Sequence, residues 1–209
     1  VRVVVRVAGA TLVLAVAATG LVAPAATGAA VLPSGFRETT HLAGLSGPTS
    51  TAFAPDGSVF VSEKRGIVKA FSGLSDTSAT TTIDLRRNVH NWNDRGLSTV
   101  AVDPQYPQRP YIYVAYALDA VPGGEPPRWG GTQDSDGCPD STNGCLVTGR
   151  VSRIPVNPST GVASGPEEPL ITDFCQQYGS HSIDDLQFGP DGMLYVSAGD
   201  GASYSFIDW

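Results

Sequence analysis

Basic residues are scarce in this chain: 13 Lys and Arg stand against 20 Asp and Glu, a formal net charge of −7. No basic run occurs beyond the N-terminus, which argues against nucleic acid as the main partner. Cysteine is limited to three residues, so one internal pair leaves one over. The chain has no Walker phosphate loop, no dinucleotide-binding glycine pattern, no zinc-ligand spacing and no nucleophile-elbow sequence. A nucleotide-binding enzyme or a zinc enzyme therefore has no support, while counting residues leaves a Ser-His-Asp hydrolase open. What is plentiful is turn chemistry. With 24 Gly and 16 Pro punctuating short apolar segments, and 41% hydrophobic residues to build a core, the chain reads as all-β.

Residues 1–30 read as a secretory signal peptide. Arg2 and Arg6 form a basic start, Ala8 to Ala23 is an uncharged apolar run, and Ala23-Pro24-Ala25 and Gly28-Ala29-Ala30 offer small-residue cleavage points. A retained anchor is the other reading, since Val7 to Ala29 carries no charge. The alanine-rich, proline-broken end favours cleavage, hence a secreted protein with no stable membrane partner. Val1 in place of Met fits a translated non-ATG start codon. Export also permits disulfides.

The rest, residues 31–209, repeats itself. Phe53-Ala-Pro-Asp-Gly-Ser-Val-Phe-Val-Ser62 lines up with Phe188-Gly-Pro-Asp-Gly-Met-Leu-Tyr-Val-Ser197, two strands about a Pro-Asp-Gly turn. A looser copy runs from Arg95 to Pro104 and on through Pro110 to Tyr116. The turn prolines Pro55, Pro104 and Pro190 are about 49 and 86 residues apart, at or above the spacing of four-stranded propeller blades. Blade 1 is expected over about 47–85 and blade 2 over about 95–173, with an insertion at 118–148. Blade 3 begins at 181 and is cut short at Trp209, so about two and a half blades are present. Residues 36–42 alternate weakly and are expected to form the strand that closes a ring.

Repeat phase then predicts a site. Loops entering the innermost strands carry Asp94 and His181. Loops between second and third strands carry Glu63 to Arg65, the 118–148 insertion, and Asp200-Gly201-Ala202. Both kinds open on one face of the disc. A histidine at a channel mouth accepts a proton near neutral pH, although a hydrogen-bonded structural histidine is the plainer reading of His181 from these residues alone. His41 is expected on the closing strand and His90 in a solvent-exposed polar loop. Cys138 and Cys145 are expected to form a local disulfide that ties down the long insertion, and Cys175 to pair with a cysteine beyond Trp209. The acidic stretch Asp134 to Asp140 is similar to an oxygen-ligand calcium loop, but lacks the remaining ligand spacing and closing glutamate of an EF-hand.

Several segments taken together resemble the soluble pyrroloquinoline-quinone (PQQ)-dependent sugar dehydrogenases, the glucose/sorbosone dehydrogenase family. They are Leu32-Pro-Ser-Gly-Phe36, Asp94 to Pro104 with Pro110-Tyr-Ile-Tyr-Val114, Gly149-Arg-Val-Ser-Arg153, and His181 to Asp200. The resemblance implies a six-bladed β-propeller that binds PQQ and calcium at the top of its channel and oxidises a small-molecule sugar. It puts His181 at the catalytic histidine, taking a sugar hydroxyl proton. Asp94, Asp200 and Gly201 fall on the cofactor side. Asp94 and Gly201 stand where studied members carry glutamines, and Ser180 where the glucose-oxidising type carries an aspartate. Two other readings accompany it: a secreted propeller that binds carbohydrate or protein without turnover, and a calcium-dependent lactonase-like propeller hydrolase.

Overall fold

Alternation at period two decides which way the strands of this chain face. The computed structural model describes residues 32–130, 136–140 and 142–205; the expected signal peptide, Asp134 of the acidic stretch and Trp209 lie outside the described residues. Residues 32–39 belong to one compact unit, with a turn in which the Phe36 N–H donates to the Pro33 carbonyl at 3.1 Å. The second unit holds the sheets. Residues 36–42 form no strand, contrary to expectation: a short alternating stretch gains strand bonds only from a neighbour, and His41 lies exposed in coil.

The strands are β1 (Pro48–Phe53), β2 (Val59–Glu63), β3 (Ile67–Phe71), β4 (Thr80–Asp84), β5 (Leu97–Val102), β6 (Tyr111–Leu118), β7 (Val147–Pro155), β8 (Glu168–Gln176), β9 (Ile183–Phe188) and β10 (Leu194–Ala198). They form antiparallel sheets in the order β1-β2-β3-β4, β5-β6-β7-β8 and β10-β9. Two four-stranded sheets and a two-stranded one, without a helix among the described residues, are two blades and half of a third of a β-propeller.

On β6 the even positions Ile112, Val114, Tyr116 and Leu118 form one core with Phe60, Val68 and Leu85 of the first blade and with Leu97 of β5. The odd positions Tyr113 and Ala115 pack with Val151, Ile183 and Leu186 on the third blade's side. The central strand thus contributes one face to each of two inter-blade cores. Each fully buried large apolar side chain contributes roughly 1.5–3 kcal/mol.

The repeated turn works the same way in both close copies. The Ser58 N–H donates to Asp56 Oδ1 at 2.9 Å, and the Met193 N–H to Asp191 Oδ1 at 3.0 Å. Gly57 and Gly192 take the positive φ that each turn requires. In the looser copy Asp103 does this work, accepting the Gln105 N–H at 3.0 Å. The innermost strands β1, β5 and β9 are cross-linked: Thr99 Oγ1 lies 3.2 Å from Ser50 Oγ and 2.9 Å from Asp185 Oδ1.

β7 and β8 extend further toward the insertion than the sequence suggests, pairing as far as Val147 with Gln176. The insertion between β6 and β7 is anchored from beneath. Cys138 and Cys145 are joined in the expected disulfide, with Cα atoms 5.7 Å apart. The Asp119 carboxylate accepts the N–H groups of Arg128, Trp129 and Gly130 at 2.9 to 3.0 Å. Asp136 accepts the Asn91 N–H at 2.7 Å, and Asp140 accepts those of Thr142 and Asn143. These aspartates therefore hold turns in place.

Candidate active site

His181 lies in the loop between β8 and β9, at φ 53°. That left-handed conformation is disfavoured for a residue with a Cβ, so the surroundings must hold it there. They do so through main-chain bonds. Gly201 N–H donates to the His181 carbonyl at 3.1 Å, Gly199 N–H to the Ser182 carbonyl at 3.0 Å, and Tyr178 N–H to the Gly201 carbonyl at 3.1 Å. The loop that enters β9 is thereby zipped to the chain that leaves β10.

The same zipper sets the side chain's partner. His181 Nδ1 and Asp200 Oδ1 are 2.8 Å apart, and Asp200 Oδ1 also accepts the Ala202 N–H at 3.1 Å. The imidazole hydrogen bond, followed by that N–H, holds the Asp200 carboxyl below the usual carboxylate range. An ionised Asp200 fixes the proton of neutral His181 on Nδ1 and leaves Nε2 as the ring's acceptor. A neutral imidazole with a free Nε2 can take a proton from a hydroxyl.

An open cavity of about 610 Å³ is lined by His181, Ser182, Asp184 and Asp200 from the third blade and by Asp94 and Ser98 from the second. Asp94 N–H donates to the Gly179 carbonyl at 2.9 Å, and Ser98 Oγ to the Ile183 carbonyl at 2.9 Å, so the two blades are bonded beneath the cavity. A smaller depression of about 220 Å³ adjoins it, lined by Thr49, Lys64 and Gly96 and again by Asp94, Ser98 and Asp184. Lys64 Nζ there donates to the Asn93 carbonyl at 2.5 Å. Gly96 is at φ 148°, and a Cβ on it would come 2.6 Å from the Lys64 carbonyl oxygen, which already accepts the Leu97 N–H at 2.7 Å.

The structure thus brings together Asp94, His181 and Asp200, and with them Lys64. Gly201 stands apart from them: it is buried, its main chain bonded in both directions, and it is not among the residues lining the cavity. Glu63 is a correction. It ends β2 with under 2% exposure, accepting the Ser46 N–H at 2.8 Å, so it serves the fold and not the rim. His90 is another, fully buried where exposure was expected.

Sequence reasoning missed the group that buries His90. Arg95, fully buried, donates Nη1 to the Cys145 carbonyl at 2.7 Å and Nη2 to the Gln176 carbonyl at 2.9 Å. His90 Nε2 lies 3.3 Å from the Gly137 carbonyl and its Nδ1 lies 3.3 Å from Arg95 Nη1. That arrangement requires neutral His90 with its proton on Nε2. Burial, followed by the Arg95 charge, pushes the His90 pKa down, and burial pushes that of Arg95 down to about 10.

The quinone that the resemblance implies bears three carboxylates. The cavity lining offers three aspartates and no lysine or arginine, and no group of three or more His, Cys, Asp or Glu among the described residues could hold a metal. These residues do not fit PQQ or calcium; the carboxylates, serine hydroxyls and imidazole fit a hydroxyl-rich molecule.

Residues 45–205 match the family described as Glucose / Sorbosone dehydrogenase. Among solved structures, a protein from Thermus thermophilus described as an oxidoreductase (glucose dehydrogenase) is 24% identical, with a TM-score of 0.58 over 80% of this chain and 41% of its own. The PQQ-bound aldose sugar dehydrogenase of Streptomyces coelicolor is 17% identical, with a TM-score of 0.59 over 79% of this chain and 41% of its own. Among curated proteins, mouse Hedgehog-interacting protein is 26% identical over 172 residues, which is 77% of this chain and 21% of that protein. The chain spans about two fifths of those solved relatives and about a fifth of the curated one.

Proposed function

The chain belongs to the glucose/sorbosone dehydrogenase family, and from that premise we propose that the full-length protein oxidises a hydroxyl of a small sugar, with His181 as the base. The observation that carries this reading is the His181–Asp200 pair on the wall of the cavity. Asp200 holds Nδ1–H, Nε2 takes the hydroxyl proton, and Asp200 stabilises the imidazolium that results. In this reading the oxidant, PQQ as in the Streptomyces coelicolor relative, is held by other parts of the full-length protein. We further propose that the protein is exported, which the basic-then-apolar N-terminus and the Cys138–Cys145 disulfide support. N-terminal sequencing of culture-supernatant protein tests that.

The test of the activity uses the full-length protein with added PQQ and calcium, following dye reduction with a panel of aldoses. Turnover is expected, and His181→Gln should lower kcat by about 10²–10⁴-fold while leaving sugar binding measured by calorimetry within a few-fold. Failure to retain quinone after desalting, together with no dye reduction, would overturn the reading.

A second reading, a propeller that binds carbohydrate or protein without turnover, is supported by the cavity's lining, which among the described residues carries three aspartates, no lysine or arginine and no metal-holding group. The likeness to Hedgehog-interacting protein is in keeping with it. Under that reading sugar or a protein partner binds, quinone does not, and His181→Gln changes little.

A further inference from the structure

Two carboxylates of the cavity have no work in the fold. Asp200 is engaged by His181 and by the Ala202 N–H, but among the described residues no hydrogen bond engages the side chain of Asp94 or Asp184. Both are exposed, and both line the 610 Å³ cavity as well as the adjoining 220 Å³ depression, with Ser98 between the two spaces. They therefore flank a molecule seated against His181. Lys64 is the one cation among the residues lining either space, and it belongs to the smaller one, where its ammonium is already held on the Asn93 carbonyl.

Resting on the oxidation reading above, we propose that this site selects by charge. It accepts neutral and amine-bearing sugars and discriminates against sugars that carry a carboxylate or phosphate, and Asp184 is a principal determinant of that choice. A unit charge on the order of 6 Å from an exposed carboxylate, in a water-like medium, changes affinity about three-fold, so Asp94 and Asp184 together give about ten-fold. The effect is unfavourable for an anionic sugar and favourable for an ammonium. It weakens as salt shortens the screening length, about 10 Å at 0.1 M. The hydroxyls of Ser98 and Ser182 are neutral and favour no sign of charge.

The experiment compares kcat/KM of the full-length protein for glucose, glucosamine and glucuronate at low ionic strength, at a pH where the amine is protonated. Glucuronate is expected about ten-fold below glucose and glucosamine at or above it. Asp184→Asn should narrow the glucuronate deficit about three-fold and lower the glucosamine value by a similar factor, and 0.5 M salt should compress all three. Equal rates for glucose and glucuronate, or an Asp184→Asn variant that shifts all three sugars together, would refute charge selection and leave the oxidation reading standing. If none of the sugars is oxidised, the oxidation reading fails, and equilibrium titration of the same three sugars decides the rest. A binding order that Asp184→Asn flattens supports charge selection, and binding without such an order overturns it.

Discussion

Replacing Arg95 with methionine should loosen the insertion and destabilise the protein by about 2–3 kcal/mol. The guanidinium donates to two buried carbonyls, those of Cys145 and Gln176, and its loss leaves both without that donor. An unsatisfied buried acceptor costs about 1–3 kcal/mol, so the two carbonyls set the gross penalty at about 2–6 kcal/mol. Burial of the charge works the other way. The desolvation that pushes the Arg95 pKa down to about 10 is relieved once the charge is gone, and a well-packed apolar replacement recovers part of the loss. The net figure lies toward the lower end. Urea unfolding of the full-length protein measures it, with the midpoint falling and the slope unchanged. Limited proteolysis reports the local part, with cleavage between residues 118 and 148 accelerated. Arg95→Lys keeps the charge and one donor position, and should lose about half as much. A methionine variant within about 0.5 kcal/mol of the parent, cut no faster, would refute the claim that Arg95 holds the insertion down.

Two further outcomes follow from the same neighbourhood. Because the folded-state pKa of His90 is depressed, the unfolded chain takes up the proton first as pH falls. Stability should therefore be fully present above about pH 6.5 and decline below it until the folded histidine also protonates; His90→Gln should flatten that part of a stability–pH curve. Gly96→Ala combines a positive φ with a Cβ 2.6 Å from the Lys64 carbonyl oxygen, and should cost about 1–3 kcal/mol or more in thermal or chemical unfolding while shifting Asp94 beside it.

The strands are legible in the sequence wherever local chemistry alone makes them. Pro55-Asp56-Gly57 and Pro190-Asp191-Gly192 each carry a turn, a carboxylate to cap it and a glycine for its positive φ, between runs that alternate. The Cys138–Cys145 pair is legible for a similar reason, since turn-rich chain brings together two cysteines at a sequence separation of 7. His181 stands out by its place above a recognisable hairpin. Its bond to Asp200 was not legible, because a regular ladder from the Phe188–Leu194 pair sets residue 181 opposite residue 201, and the irregularity between Val196 and Ala198 brings residue 200 there instead. The burial of His90, Arg95 and Glu63 was not legible. Glu63 keeps the alternation of Val59 and Val61 but is charged, and what covers His90 and Arg95 is chain some 45 to 80 residues away whose approach no local pattern encodes. The closing strand at 36–42 failed for the converse reason: its weak alternation describes a strand only once a neighbour supplies the ladder.

The hydrogen bonds that Arg95 makes to the insertion and to β8 end on carbonyl oxygens, groups that every residue type carries. Such an anchor does not depend on which side chains stand at positions 145 and 176. Selection is thus free to change those side chains without loosening the two bonds by which Arg95 holds the insertion and β8.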